Sequence, residues 1–146
     1  LPGDTNDKTS PHMAPFIKAL DYVKPGTYED WVAAEKAFAI TPTFERGVTY
    51  DNAFVIIDEA QSISLGELQT IYTRPTDTCK IVTTGSLLQI DDPKLQRFNG
   101  LTPFEVYMKH FEGERVTFHK LVKNYRGWFS NHADEVKRTI EKMEAE

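Results

Sequence analysis

Apolar residues along this chain recur in two rhythms, and the change from one to the other predicts where helices give way to strands. In the first third the rhythm is helical: Met13, Phe16, Ile17, Leu20 and Val23 return at intervals of three and four, as on one face of a helix. Ser10 as N-cap and Pro11 at the first helical position predict a helix from Pro11 to about Val23, with these five as core, Pro15 bending its first turn and Pro25-Gly26 ending it. Thr27 and Asp30 then stand at capping-box spacing, the acid a shorter substitute for Glu. Trp31, Val32, Glu35 and Phe38 carry this second helix to about residue 36. Ala37 to Ile40 reads as a short strand stopped by Thr41-Pro42, and Thr43 to Thr49 as a turn.

The rhythm changes at Phe54 to Ile57, four apolar residues in succession between Asp51-Asn52 and a polar turn. Such a run suits a central strand of a parallel sheet covered on both faces. Lys80 to Thr84 is a second short strand expected beside it, and Arg115 to Leu121, with Val116, Phe118 and Leu121, a further one. Helices separate them. Ser64 and Glu67 form a capping box ahead of Leu65, Leu68, Ile71 and Tyr72, and Pro75 ends that helix. Thr102, Pro103 and Glu105 open another, which runs through His110. A charged helix from Asn131 to about Ala145 closes the chain, with Val136, Ile140 and Met143 as the stripe that docks it. Alternating strands and helices make this an α/β domain with a parallel sheet and helices on both faces.

Length and charge narrow the picture. The 146 residues suit one domain, residues 1-146, able to bury roughly two thirds of its unfolded surface. The net charge of −5 excludes a generally nucleic-acid-binding surface, so any contact with RNA or DNA is a local patch. Cys79 is the single cysteine; it excludes an internal disulfide, fits a reducing cytoplasm and reads as a small packed side chain. No run of eighteen apolar residues and no signal peptide point to a membrane or to export. His12, His110, His119 and His132 lie in separate segments without metal-ligand spacing. Phe104, Tyr107, Phe111 and Phe118 fall at core spacing. Tyr125, Trp128 and Phe129 cluster where a base could stack, with core packing the expectation.

The candidate chemistry sits where the apolar run meets Asp58-Glu59-Ala60-Gln61. The C-terminal ends of parallel strands are where such sheets bind ligands. In nucleotidases with a phosphate loop, the first carboxylate of this pattern holds magnesium and the second orients or deprotonates the attacking water. Asp-Glu after a strand is equally an ordinary solvated turn; the second strand end decides between the two. There Gly85 and Gln89 follow Lys80 to Thr84, so that an amide comes beside the carboxylates if the strands are neighbours, as in a γ-phosphate sensor. Arg74 is accounted for by the dipole at the end of its helix, and Lys94 and Arg97 lie in a polar loop from Asp91 to Gly100.

Taken together, Leu1-Pro2-Gly3-Asp4, Glu45-Arg46-Gly47, Asp58 to Gln61, Thr73-Arg74, Thr84-Gly85 and Gln89-Ile90-Asp91 resemble the PhoH family of phosphate-starvation-inducible ATPases, from the first residue to about Val136. The resemblance implies a RecA-like P-loop NTPase core with Asp58 to Gln61 as its Walker B element. It further implies ATP and Mg2+ as cofactors, RNA or single-stranded nucleic acid as partner, and a homo-oligomer, as a hexameric ring. Carried over position by position, Asp58 coordinates magnesium, Glu59 is the catalytic base, Gln61 and Gln89 sense or position the γ-phosphate beside Gly85, and Arg126 is the candidate arginine finger. Two positions depart from the family: Ser86 stands where it has Asp, and Gly127 follows Arg126 where it has His. The largest departure is the phosphate loop, since no glycine-rich loop followed by Lys-Ser or Lys-Thr occurs in the sequence. The expectation is an ATPase fragment, a poor enzyme by itself and active at full length. The alternative is a non-catalytic RNA-binding or assembly module that uses Lys94, Arg97, Lys120, Lys123 and Arg126 as a patch.

Overall fold

The computed structural model describes residues 13–40, 47–89 and 94–145. They fall into two compact units, one within Leu1–Phe44 and one within Glu45–Glu146.

The first unit is a pair of helices, α1 (Ala14–Val23) and α2 (Thr27–Ala33). Pro15 lies in the first turn of α1, where its missing N–H removes no helical hydrogen bond, so it opens the helix instead of bending it. Ser10 and Pro11 lie outside the described residues. Gly26, at φ +80°, takes the left-handed turn between the helices without a Cβ penalty and is itself the N-cap of α2. The expected Thr27–Asp30 box therefore does not form: the Thr27 hydroxyl donates back to the Lys24 carbonyl at 2.6 Å. Helix α2 stops at Ala33, and residues 37–40 pair with no strand among the described residues. Tyr28 is buried and Phe16, Ile17 and Leu20 are half-buried, whereas Val23, expected in the core, is exposed.

The second unit is built on β1 (Phe54–Ile57) and β2 (Lys80–Thr83), parallel and in register from Phe54↔Lys80 to Ile57↔Thr83. Between them runs α3 (Leu65–Tyr72), and α4 (Pro103–His110) follows β2. Both helices open on complete capping boxes, Ser64 with Glu67 and Thr102 with Glu105, each satisfying orphan N–H groups and contributing about 1 kcal/mol. Because strand side chains alternate, Val55 and Ile57 share a face. That face packs with Ala60 and with Leu68, Ile71 and Tyr72 of α3 and Phe104 and Tyr107 of α4. The Tyr72 ring meets those of Tyr107 and Phe111 edge-on at 4.8 and 5.9 Å, and its hydroxyl bonds the Thr83 hydroxyl. Burial pushes the Tyr72 phenol above its ordinary range, with the Thr83 bond offsetting part of the rise.

The other face of the sheet differs from expectation: Phe54 is 63% and Ile56 47% exposed, so among the described residues β1 is covered on one side. The entry to the sheet is pinned by a polar cluster. Thr76 and Thr78 donate to Asp51 Oδ1 at 2.8 and 2.6 Å, and Thr78 Oγ1 accepts from Asn52 N. Cys79 is half-buried there, its thiol directed to the Tyr50 carbonyl.

Residues 115–121 form no strand and are exposed, Phe118 among them. The final helical segment starts earlier than its pattern predicts and is broken into α5 (Trp128–Ala133) and α6 (Val136–Glu144). The Val136, Ile140 and Met143 stripe is exposed, and α6 is tied to the loop after β2 through Lys137 Nζ, which donates to the Leu87 carbonyl at 3.0 Å. Among the described residues no helix is long and apolar enough to cross a membrane.

Candidate functional site

Two chain segments meet at the C-terminal end of the parallel strands. Their hydrogen-bond ladder runs one step past the strands, because Thr84 N donates to the Ile57 carbonyl at 2.8 Å and Ala60 N to the Thr84 carbonyl at 3.0 Å. Asp58 and Thr84 are thereby held side by side, and the Thr84 hydroxyl donates to Asp58 Oδ1. The next residue, Glu59, has φ +53° and ψ +39°, a left-handed conformation uncommon for a residue with a Cβ. It turns the chain off the strand and into the 3-10 turn Ala60–Ser62. Backbone strain of this kind costs on the order of 1–3 kcal/mol and gathers at functional sites.

Gln61 joins the two segments. It is 2% exposed, and both ends of its amide are engaged: Nε2 donates to Glu59 Oε2 at 2.6 Å and to Gln89 Oε1, while Oε1 accepts from Ser86 N at 3.0 Å. A buried amide left unpaired would cost about 1–3 kcal/mol, so this pairing fixes the loop after β2 against the turn after β1. Gly85 lies where a side chain has no room; an added Cβ would stand 2.8 Å from Phe104 Cε1 and 3.0 Å from Gln61 Oε1.

The structure thus brings Asp58, Glu59, Gln61, Gly85 and Gln89 together at one sheet end. Arg126 is held elsewhere: its guanidinium, with the side chain 67% exposed, reaches Asp134 at 3.7 Å. An exposed pair of this length contributes about 0–1 kcal/mol and gives the arginine up easily. Of the basic patch, Arg97 donates to the Gly100 carbonyl and Lys123 lies over the Tyr125 ring. Three participants escape sequence reasoning: the Thr84 hydroxyl as partner of Asp58, the Ser86 backbone N–H as partner of Gln61, and Phe104 as the wall against Gly85. The strand register carries a signal for the first, because pairing Ile57 with Thr83 sets the residues just beyond them opposite one another.

Chemically, Asp58 is an exposed carboxylate anchored by a neutral hydroxyl, a hard oxygen donor of the kind magnesium accepts. No group of three His, Cys, Asp or Glu side chains able to hold a metal occurs among the described residues.

Comparison with known proteins bears out the family resemblance. The family model for PhoH-like protein matches residues 1–132. A PhoH-like protein of Synechocystis sp. is 34% identical over 114 residues, 77% of this chain and 34% of its own length. Protein PhoH2 of Bacillus subtilis is 33% identical over 132 residues, 86% of this chain and 29% of its own. A PhoH-like protein of Bacillus subtilis is 32% identical over 114 residues, 77% of this chain and 35% of its own. The chain thus spans about a third of the length of these curated relatives. No solved structure gives a significant match. The chain belongs to the PhoH-like protein family.

Proposed function

We propose that this chain carries the carboxylate and sensor half of a RecA-like P-loop ATPase, hydrolysing ATP with magnesium in the cytoplasm and coupling it to the handling of RNA or single-stranded nucleic acid. The observation that supports this reading best is the Gln61 amide, which links Glu59 after one strand to Gln89 after the other at the end where Asp58 stands. In this reading Asp58 holds the metal, Glu59 orients or deprotonates the attacking water, and Gln61 and Gln89 position the γ-phosphate near the Gly85 backbone. Magnesium, when bound, neutralises charge on the phosphate oxygens. The 146 residues hold no phosphate loop, so the amides and lysine that cradle the β- and γ-phosphates come from outside them. Arg126, exposed and weakly paired, is free to act on the nucleotide of a neighbouring subunit in a ring-shaped homo-oligomer.

Glu59→Gln tests the assignment in the protein at its natural length. The substitution keeps size and hydrogen-bonding reach and removes basicity, so turnover is abolished while ATP affinity stays within a few-fold. Undiminished turnover overturns the role of Glu59. The second reading is a non-catalytic RNA-binding or assembly module; it is favoured if the natural-length protein neither binds nor hydrolyses ATP.

A further inference from the structure

Arg126 stands at the end of an irregular stretch. Among the described residues, 117–125 form no helix or strand and make no backbone–backbone hydrogen bond. Arg126 itself is fastened on both sides of its Cα. Its N–H donates to Asn124 Oδ1 at 3.0 Å, and its carbonyl accepts from Asn131 Nδ2 at 3.1 Å. The two fasteners have opposite polarity, and the backbone dictates which is which: an N–H can meet only the oxygen end of a side-chain amide, and a carbonyl only the nitrogen end.

Asn131 gives its donor end to this bond and leaves its other end idle. Its Oδ1 is buried and has no hydrogen-bond partner among the described residues, a condition uncommon for a buried amide and one that an apolar side chain of similar size would avoid. The residue lies within α5 and Arg126 precedes that helix, so the bond ties the arginine's peptide to the helix. The guanidinium is held differently. Its pair with Asp134, at 3.7 Å and exposed, is one that a phosphate group can displace. A fixed base with an exchangeable head suits a side chain that must meet a ligand in one geometry.

We propose that Asn124 and Asn131 are positioning residues for Arg126, holding its peptide from both sides so that the guanidinium reaches a triphosphate in one place. The inference rests on the reading in which Arg126 acts on a neighbouring subunit's nucleotide, and it adds the two side chains through which the chain aims that arginine.

The test uses the protein at its natural length. In the nucleotide-free state, exchange of the Arg126 amide hydrogen is expected to quicken about fivefold in Asn124→Ala, as for one lost hydrogen bond, with Asn124→Asp restoring protection because a carboxylate still accepts. In ATP hydrolysis, Asn124→Ala and Asn131→Leu are each expected to lower kcat about 10–100-fold with KM nearly unchanged, and Asn124→Asp to recover most of the loss. Asn131→Leu also removes the buried unpartnered oxygen, so its thermal midpoint is expected to equal or exceed the parent's. In the Arg126→Ala background neither substitution is expected to slow turnover further. No turnover in the parent, or full turnover in Arg126→Ala, overturns the reading on which the proposal rests, and the proposal with it. Slow turnover in Arg126→Ala beside full turnover in Asn124→Ala and Asn131→Leu overturns the proposal alone. So do an Asn124→Asp protein as slow as Asn124→Ala, a lower thermal midpoint in Asn131→Leu, or a further loss in the Arg126→Ala background, since the asparagines would then serve the fold or another step.

Discussion

Gly85→Ala isolates the packing that holds the candidate site together. The added methyl would meet Phe104 Cε1 at 2.8 Å, Gln61 Oε1 at 3.0 Å and Phe104 Cδ1 at 3.2 Å, all inside the roughly 3.5–4.0 Å at which carbon contacts are favourable. Neither neighbour can swing away at no cost. Phe104 packs against the Ile57 and Leu68 core, and Gln61 is held at both ends of its amide. Overpacking of this kind costs about 1–3 kcal/mol, and a displaced Gln61 loses its bond from Ser86 N, worth about 1 kcal/mol more. For a chain of this size the midpoint falls by about 3–4 °C per kcal/mol, so thermal unfolding followed by circular dichroism should show a drop of roughly 6–16 °C. Two companions sharpen the assay. Phe104→Leu makes room, so the double variant should be more stable than the sum of the single losses by more than about 0.5 kcal/mol. Gly66→Ala, in α3 with nothing within 4 Å of the added methyl, should gain about 0.5–1 kcal/mol. A Gly85→Ala protein as stable as the parent, or strict additivity with Phe104→Leu, refutes the reasoning.

If Asp58 holds magnesium in the natural-length protein, Thr84→Val, which keeps the shape of the side chain but removes the donor to Asp58, should raise the magnesium concentration at half-maximal ATP turnover about tenfold or more; an unchanged magnesium titration removes Thr84 as a positioning residue. Arg126→Ala should cut turnover about a thousandfold if Arg126 serves a neighbouring nucleotide. Mixing that protein with Glu59→Gln should then restore part of the activity, and mixtures that exchange subunits yet stay inactive return Arg126 to its pair with Asp134. Hydrogen bonds from Thr78 and then Thr76 hold the Asp51 carboxyl below its ordinary value of 3.8. The stability it contributes is present above that value and is lost as pH falls through the lower folded one, so urea midpoints should decline more steeply on acidification in the parent than in Asp51→Asn; parallel declines would assign the acid limb to other groups.

What the sequence disclosed follows from how locally each feature is decided. The capping boxes at Ser64 and Thr102 are legible because a hydroxyl and an acid three residues on satisfy each other whatever surrounds them. The Thr27 box fails because Gly26 offers a left-handed cap one residue earlier and the Thr27 hydroxyl turns back to Lys24. Strands are less local. Phe54 to Ile57, apolar throughout, finds a parallel partner, whereas residues 115–121, with Val116, Phe118 and Leu121 spaced among Arg115, His119 and Lys120, have none and stay irregular. The Tyr125, Trp128 and Phe129 cluster reads as core by residue type, yet burial depends on what packs above it, which residue type does not specify. Of the candidate site, the gathering of Asp58, Glu59, Gln61 and Gln89 was legible from two strand ends in order. The hydroxyl and backbone donors that aim them were not, since Thr84 and Ser86 acquire those roles only through register.

That dependence on register makes the site sensitive out of proportion to its size. The sheet that carries it has two strands of four residues; at their C-terminal end the ladder runs one step further, from Ile57 and Ala60 to Thr84, and at their entry Tyr50 bridges to Pro75. A slip of one residue would carry Thr84 away from Asp58 and reverse which face of β2 meets α3, removing Thr83 from Tyr72 as well. The inner face resists the slip, because Ile57, Leu68 and Tyr72 lose their packing with it. The outer face, with Phe54 and Ile56 open, offers no such resistance. The Gln61 amide supplies a second restraint at the functional end, and the Asp51, Thr76 and Thr78 cluster a third at the entry. The geometry of the carboxylates therefore rests on polar bonds at the two ends of a short sheet as much as on its core, and substitutions at either end should reach the chemistry before they reach the fold.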